Sequence, residues 1–290
     1  MKRRVLFFGS DAFSSRVLAS PSLSEHLVTC ASDQDAWLRS LSTPVQPLRL
    51  EEPLWGIDVA SYDLALVASF GKLVPELPGL PSYNLHPSLL PRWRGAAPAE
   101  WTVAAGDEVA GVTLQTLARR FDEGRIVWQK CFDLPRGSTP DWLLQEAASV
   151  ADEGLRLLLS SEEGQLQTRE QDERLVTLAP KPTREHSRVQ WAEWTPDQVV
   201  NRHLAMHKRH HLHTRMGKRA FLLEVAHTDD QEGDAPAGTV ERRPGRRVRV
   251  RANGGWVELV WVQQEGKARQ TAADFCNGYL HKAGRSLLFT

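Results

Sequence analysis

In the stretch YNLHPSLLPRWRG, Tyr83 to Gly95, an amide and an imidazole stand two residues apart, Asn84 and His86, immediately ahead of Pro87. In an extended strand residues i and i+2 share a face, so Asn84 and His86 point one way and Tyr83 and Leu85 the other, and Pro87 ends the strand. A second unusual group is Asp122, set between Phe121 and a Glu-Gly-Arg turn in ARRFDEGRIVWQ. An imidazole exchanges a proton near neutral pH, a neighbouring carboxylate fixes its orientation and favours its cation, and an amide N–H donates to a developing oxyanion. Brought together, the three suit acyl transfer to an amine without a covalent intermediate. Each also has an ordinary reading: a satisfied polar pair at a sheet edge for Asn84 and His86, and turn chemistry for an Asp ahead of a glycine. Nucleophilic catalysis lacks a candidate, because no G-x-S-x-G is present and Ser88 lies in a proline-bounded loop.

The elements that must position these groups follow from hydrophobic patterning. RVLFFGS, HLVTCAS and DLALVASF are apolar runs without alternation, as in strands covered on both faces, and they alternate with the helix-compatible segments DAFSSRVLAS and DAWLRSLS. That pattern predicts a doubly wound, mostly parallel α/β sheet, whose ligands gather outside the carboxyl ends of the strands. A short helix is expected in GAAPAEWTVAAGD, two strands in GVTLQTLA and RIVWQKCFDL, and a long helix from Pro140 with Thr139 as its N-cap. The first turn, FFGSDAF, has a single glycine, Gly9, and not the G-x-G-x-x-G of a dinucleotide site, so NAD is not expected.

Beyond LAPKPTREHSRVQW, rich in proline and charge, the pattern changes to RAFLLEVAH, GTVERR, RRVRVRAN and GWVELVWVQQ, closed by a helix-like TAADFCNGY. Short strands parted by Gly or Pro turns predict a small antiparallel barrel. The expected division is a catalytic domain over 1–180, a linker over 181–204 and a basic barrel over 205–290. Residues 201–290 hold 16 Lys and Arg against 9 Asp and Glu, +7, and residues 1–200 hold 20 against 27, −7, which points to a polyanionic partner for the tail. In RRVRVRA the valines face one way and Arg247, Arg249 and Arg251 the other. That face reads either as a solvated exterior or, with HKRHHLHTRMGKR upstream, as a phosphate-tracking surface. His203 and His207 have metal-ligand spacing on a helix turn, but neighbouring Lys208, Arg209 and Arg215 would repel a cation, and no metal is expected.

Three scattered cysteines, Cys30, Cys131 and Cys276, offer neither CxxC spacing nor a disulfide framework and favour a reducing compartment. The longest apolar stretch, YDLALVASFGKLV, breaks after about a dozen residues, too few for a membrane span. No presequence is expected in MKRRVLFFGS, which enters a strand-like run after four residues.

NLHPSLLPRWRGAAPAEW followed by AGDEVAGVTLQTLARRFDEGRIV resembles the signature of the folate-dependent formyltransferase family, and within it the branch that formylates methionyl-tRNA. VLFFGSDAFS, VASFGKLVPE, LAPKPTREHSRVQW and APAGTVERR extend the resemblance along most of the chain. It implies a Rossmann-like amino-terminal domain and an OB-like barrel that holds tRNA. It implies Asn84, His86 and Asp122 as the catalytic centre, and Ser88, Leu89, Leu90 and Pro91 as the loop lining the folate site. It also implies 10-formyltetrahydrofolate as co-substrate and methionyl-tRNA as acceptor for translation initiation; no metal, no membrane association and a monomer are expected.

Two departures stand out. Bacterial members insert a glycine-rich basic loop after the second strand, where CASDQDAWLRSLSTPVQPL is shorter and carries only Arg39; and they have a Pro-Trp-Pro segment where this chain has AMHKRHHLHTRMGK. Contacts to tRNA are therefore expected from Arg39, Arg92 and Arg94 near the site and from Lys208, Arg209, Arg215, Arg247, Arg249 and Arg251 further out. Arg92 and Arg94 serve equally well as salt-bridge partners. The start and the short loop resemble mitochondrial members, so a mitochondrial matrix location is expected, with bacterial cytoplasm the alternative. Rival readings are a formyltransferase for an amino sugar or other small amine, and an inactive RNA-binding protein.

Overall fold

The computed structural model describes residues 2–50, 57–75, 77–162, 164–283 and 287–290, with the backbone alone at 280–283. The chain forms two compact units: Met1–Ala99, Glu108–Pro135 and Asp141–Lys181 make the first, and Glu100–Asp107, Arg136–Pro140 and Pro182–Thr290 the second.

The first unit is built on β1 (Arg4–Phe8), α1 (Ala12–Leu18), α2 (Pro21–Ser24), β2 (Leu27–Ser32), α3 (Asp35–Ser40), β3 (Gln46–Arg49), β4 (Leu64–Val67) and β5 (Ser82–His86). In chain order these are followed by α4 (Pro98–Ala105), most of which belongs to the second unit, and then by β6 (Val109–Thr116), β7 (Ile126–Asp133) and α5 (Pro140–Ser160). The seven strands lie in the order β3-β2-β1-β4-β5-β6-β7. Neighbours from β3 to β5 run parallel, while β6 and β7 are antiparallel to the strands beside them. As the unalternating apolar runs require, β4 and most of β1 are buried on both faces. Leu6, Phe8, Ala65 and Val67 pack with Phe70, Val74 and Leu80 in one core cluster. Local chemistry starts the helices: the Asp11 carboxylate accepts from the Ser14 backbone N–H at α1, and Ser20 caps α2 with Pro21 at its first position. The short β3 was not expected from the sequence; Pro47 and two exposed residues hide it, and its ladder to β2 makes it an edge strand.

The second unit carries α6 (Pro196–Met206), β8 (Leu212–Met216), β9 (Arg219–Ala226), β10 (Thr239–Arg242), β11 (Val248–Ala252), β12 (Gly255–Gln264), β13 (Gln270–Thr271), α7 (Ala272–Ala283) and β14 (Leu287–Leu288). Its sheet runs β14-β10-β11-β12-β9-β8, with β13 paired to β12. Arg215 of β8 and the terminal Thr290 exchange two backbone hydrogen bonds, of 3.0 and 2.8 Å, so the circuit closes next to β14 into an antiparallel barrel. The expected linker is corrected here. Residues 181–204 include most of α6, opened by a capping box between Thr195 and Gln198, and they supply Val189, Trp191, Val199 and Val200 to the barrel core. The basic segment 207–219 also contains β8, whose Leu212 and Thr214 are fully buried.

Candidate active site

The ladder between β5 and β6 sets the site's first contacts. Asn84 stands opposite Gln115 and His86 opposite Thr113, so one face of the pair carries four polar side chains. The turn between β6 and β7 delivers Asp122 to that face. Asp122 has φ +60° and Trp93 φ +64°, a conformation costly for residues with a Cβ and of the kind that collects at working sites.

Asp122 is the hub. Its Oδ1 accepts from Asn84 Nδ2 at 3.1 Å and Gln115 Nε2 at 3.1 Å, and lies 3.2 Å from His86 Nδ1; its Oδ2 accepts from the Gly95 backbone N–H at 2.8 Å. The opposite ring nitrogen, His86 Nε2, is 2.9 Å from the Trp93 carbonyl. Both ring nitrogens thus face acceptors, and only the imidazolium donates to both. Burial pulls the His86 pKa down, but the Asp122 charge and its hydrogen bond outweigh that and hold it above the usual imidazole value. Burial likewise pushes Asp122 up, and the His86 charge together with the Gly95 and Gln115 donors holds it below the usual carboxylate range. His86 is 5% exposed and Asp122 9%, so the pair sits where charge interactions are weakly screened.

Two glycines are required by this packing. Gly95 has φ +124°, and a Cβ there would lie 2.8 Å from the Ala179 carbonyl oxygen; at Gly124 a Cβ would lie 1.7 Å from the Thr116 carbonyl oxygen. Behind the hub, Gln171 donates from Nε2 to the backbone carbonyls of Asp122 and Gly124, both at 2.7 Å, and to Gln115 Oε1 at 3.3 Å. Its own Oε1 accepts from Arg94 Nε at 3.0 Å, and Arg94 forms a two-toothed pair with Glu173. Sequence reasoning missed Gln115 and Gln171. The first had a signal, the polar alternation of Thr113 and Gln115 within GVTLQT; the second lies outside any strand or helix and had none.

The loop after β5 is tied to β6 and β7. Thr113 Oγ1 donates to the Ser88 carbonyl at 2.6 Å and accepts from the Leu90 N–H at 3.2 Å, and Gln129 Nε2 donates to the Leu90 carbonyl at 2.9 Å. Ser88 donates its hydroxyl to the Arg92 carbonyl at 2.6 Å and is buried with Leu90, leaving Leu89 and Pro91 half-buried. Burial pushes the Cys30 thiol up to about 12 and the Cys276 thiol up to about 11, so both are held protonated, and Cys131 is exposed on β7. Among the described residues no group of three or more His, Cys, Asp or Glu could hold a metal, and no helix is long and apolar enough to cross a membrane.

The expected tRNA contacts fall into different environments. In the first unit Arg39 is exposed in the last turn of α3, Arg92 lies 4.3 Å over the Trp93 ring, and Arg94 is the buried brace just described. Of its two expected readings, Arg94 is found in the arrangement of a salt-bridge partner, buried and paired with Glu173. In the second unit Lys208, Arg209, Arg215 and Arg247 are exposed, with Arg209 donating to Glu100 at 2.7 Å. The expected stripe on β11 is corrected at Arg249, which is 3% exposed. It lies 3.9 Å over Trp256 and is paired with Asp230 at 2.7 Å and Glu241 at 2.8 Å. Alternation placed it on the outer face as expected, but an acidic segment covers that face, and Arg251 is half-buried against Asp234.

A formyl transferase family model matches residues 46–159, and a model of the formyl transferase C-terminal domain matches residues 181–280. The mitochondrial methionyl-tRNA formyltransferase of Mus musculus is 35% identical, over 96% of this chain and 78% of that one. The bacterial methionyl-tRNA formyltransferase of Acidobacterium capsulatum is 31% identical, over 81% of this chain and 78% of its own. The chain belongs to the methionyl-tRNA formyltransferase family. Asn84, His86 and Asp122 lie inside the first matched region, and β8 to β13 inside the second, which ends ahead of β14. Among solved structures, HypX from Aquifex aeolicus in complex with tetrahydrofolic acid superposes with a TM-score of 0.61 at 18% identity, a likeness of fold alone. It covers 96% of this chain, which spans about half of HypX, 47%.

Proposed function

We propose that the chain transfers the formyl group of 10-formyltetrahydrofolate to the α-amino group of methionyl-tRNA. The observation that carries the reading is the convergence of Asn84, His86 and Asp122 on one buried hub, which brings a protonated imidazole and an amide donor to the same face. In the reaction a C–N bond forms between the α-amine and the formyl carbon, the bond from that carbon to the folate nitrogen breaks, and the amine's proton passes to the leaving nitrogen. Asn84 has a second Nδ2–H beyond the one given to Asp122, and it stabilises the tetrahedral oxyanion together with the His86 Nε2–H once that bond leaves the Trp93 carbonyl. Asp122 holds the imidazolium in orientation and keeps it charged. Leu89 and Pro91, on a loop whose backbone is pinned through Thr113 and Gln129, fit an apolar wall for the folate. Lys208, Arg215 and Arg247, exposed on the barrel unit, are proposed to meet tRNA phosphates.

The test is transfer of labelled formyl to methionyl-tRNA, with free methionine and amino sugars as parallel acceptors. Labelling of the charged tRNA alone is expected. Labelling only of a small amine, or of nothing, would overturn the assignment. A mitochondrial matrix site is proposed from the resemblance of the start and the short loop after β2 to mitochondrial members; organelle fractionation checks it, and a bacterial source for the chain would sink it.

A further inference from the structure

Four arginines of the second unit lie over tryptophan rings; Arg249, Arg251 and Arg269 are each paired with an acid, and Arg202 is finished differently. The guanidinium of Arg249 covers Trp256, and all three of its nitrogens donate, to Asp230 and Glu241. Arg202, on α6, is held between two indoles, 5.2 Å from the Trp101 ring and 4.9 Å from that of Trp194. No carboxylate pairs with it among the described residues, and its Nε is enclosed without a hydrogen-bond partner. Burial, with no acid to offset it, draws its pKa below the usual guanidinium value.

A buried donor left unmade costs about 1–3 kcal/mol, and a cation removed from water without a counter-charge costs more. Packing alone would be served as well by an apolar side chain of that length. What the guanidinium adds is a flat fork of N–H groups, fixed in direction by indoles on either side and lacking an acceptor, a geometry matched to the paired oxygens of a phosphate. A second guanidinium lies close by. Glu100, next to Trp101 in the chain, is already engaged by Arg209 at 2.7 Å, so Arg202 and Arg209 sit on adjacent residues of α4. His186 packs edge-on against the same Trp101 ring at 5.0 Å.

We propose that Arg202, clamped by Trp101 and Trp194, is a binding site for a backbone phosphate of the tRNA. The inference rests on the tRNA reading of the preceding subsection and deepens it. It moves the main phosphate contact from the acid-covered β11 stripe to a residue that the charge pattern of the tail did not single out.

The test measures the dissociation constant of the full chain for uncharged tRNA across a sodium chloride series, for wild type, Arg202→Met and Arg202→Gln, with thermal midpoints as the folding control. Removal of one charge-assisted contact is expected to weaken binding about ten- to a hundredfold at low salt. The slope of log affinity against log salt should flatten by about one. Affinity and slope unchanged in either folded variant would overturn the site. Weaker binding at an unchanged slope would overturn the phosphate assignment in favour of base stacking on the indoles. Wild-type chain that fails to bind tRNA at all would instead remove the functional reading, and this inference with it.

Discussion

Each unit of the molecule gathers donors around one aspartate, and the two gatherings have opposite uses. Asp122 collects an imidazole, two amides and a backbone N–H; Asp230 collects the guanidinium groups of Arg243 and Arg249. Around Asp230 the side-chain donors are permanently charged guanidinium groups, joined by the Glu232 backbone N–H, so no donor there exchanges a proton near neutral pH. Around Asp122 one donor titrates and another, Asn84, keeps a free N–H. A carboxylate's burial therefore says little about its role, and the identity of its donors decides it.

The comparison breaks most sharply at His86. His86→Ala is expected to lower kcat about 10²- to 10⁴-fold in the formyl-transfer assay, while tRNA binding persists; an active variant would reduce the Asp122 hub to a structural one. Arg249→Met is the counterpart. It leaves Asp230 and Glu241 without their shared cation and should lower stability toward the lower end of about 3–5 kcal/mol, read by denaturant unfolding, because both acids retain some exposure. Its kcat should stay near wild type, and a loss of kcat at full folding would erase the contrast. Gln171→Leu removes the bonds that hold the left-handed turn at Asp122, and kcat should fall about 10- to 100-fold through misplacement of the carboxylate, without a matching rise in KM for tRNA.

The smallest effect sharpens the electrostatics. His86 has a raised pKa when folded, so its stabilising share is complete below about 6.5 and is lost as pH rises through the raised value. Asp122 has a lowered one, so its share is complete above about 3.8 and is lost as pH falls through the lowered value. Asp122→Asn removes the charge that holds His86 up and should move the basic limb of the pH–rate profile to lower pH. An unmoved limb would mean that another group controls it.

The strand run, the single glycine of the first turn and the Asn-x-His spacing ahead of Pro87 made the parallel sheet and two of the three central residues legible, because strand alternation is a local rule. The ends of the second unit were less so. Proline and charge in 181–204 read as a linker, although TPDQ is a capping signal that opens α6, and the apolar residues around it complete the barrel core only when the strands beyond have closed. Gln171 was invisible, since its three acceptors come from segments 47 to 56 residues away.

By itself the sequence determined which residue types stand at the carboxyl end of β5, which face they share, and that a basic barrel follows an acidic α/β unit. Tertiary structure decided which charges are spent. Arg94 and Arg249 look in sequence like surface cations and are neutralised by acids brought to them across the fold, whereas Arg202, one arginine among many, is left open between two indoles. The physical reason is that charge is a property of a residue, but its compensation depends on neighbours within a few ångströms, and those neighbours are set by packing rather than by position along the chain.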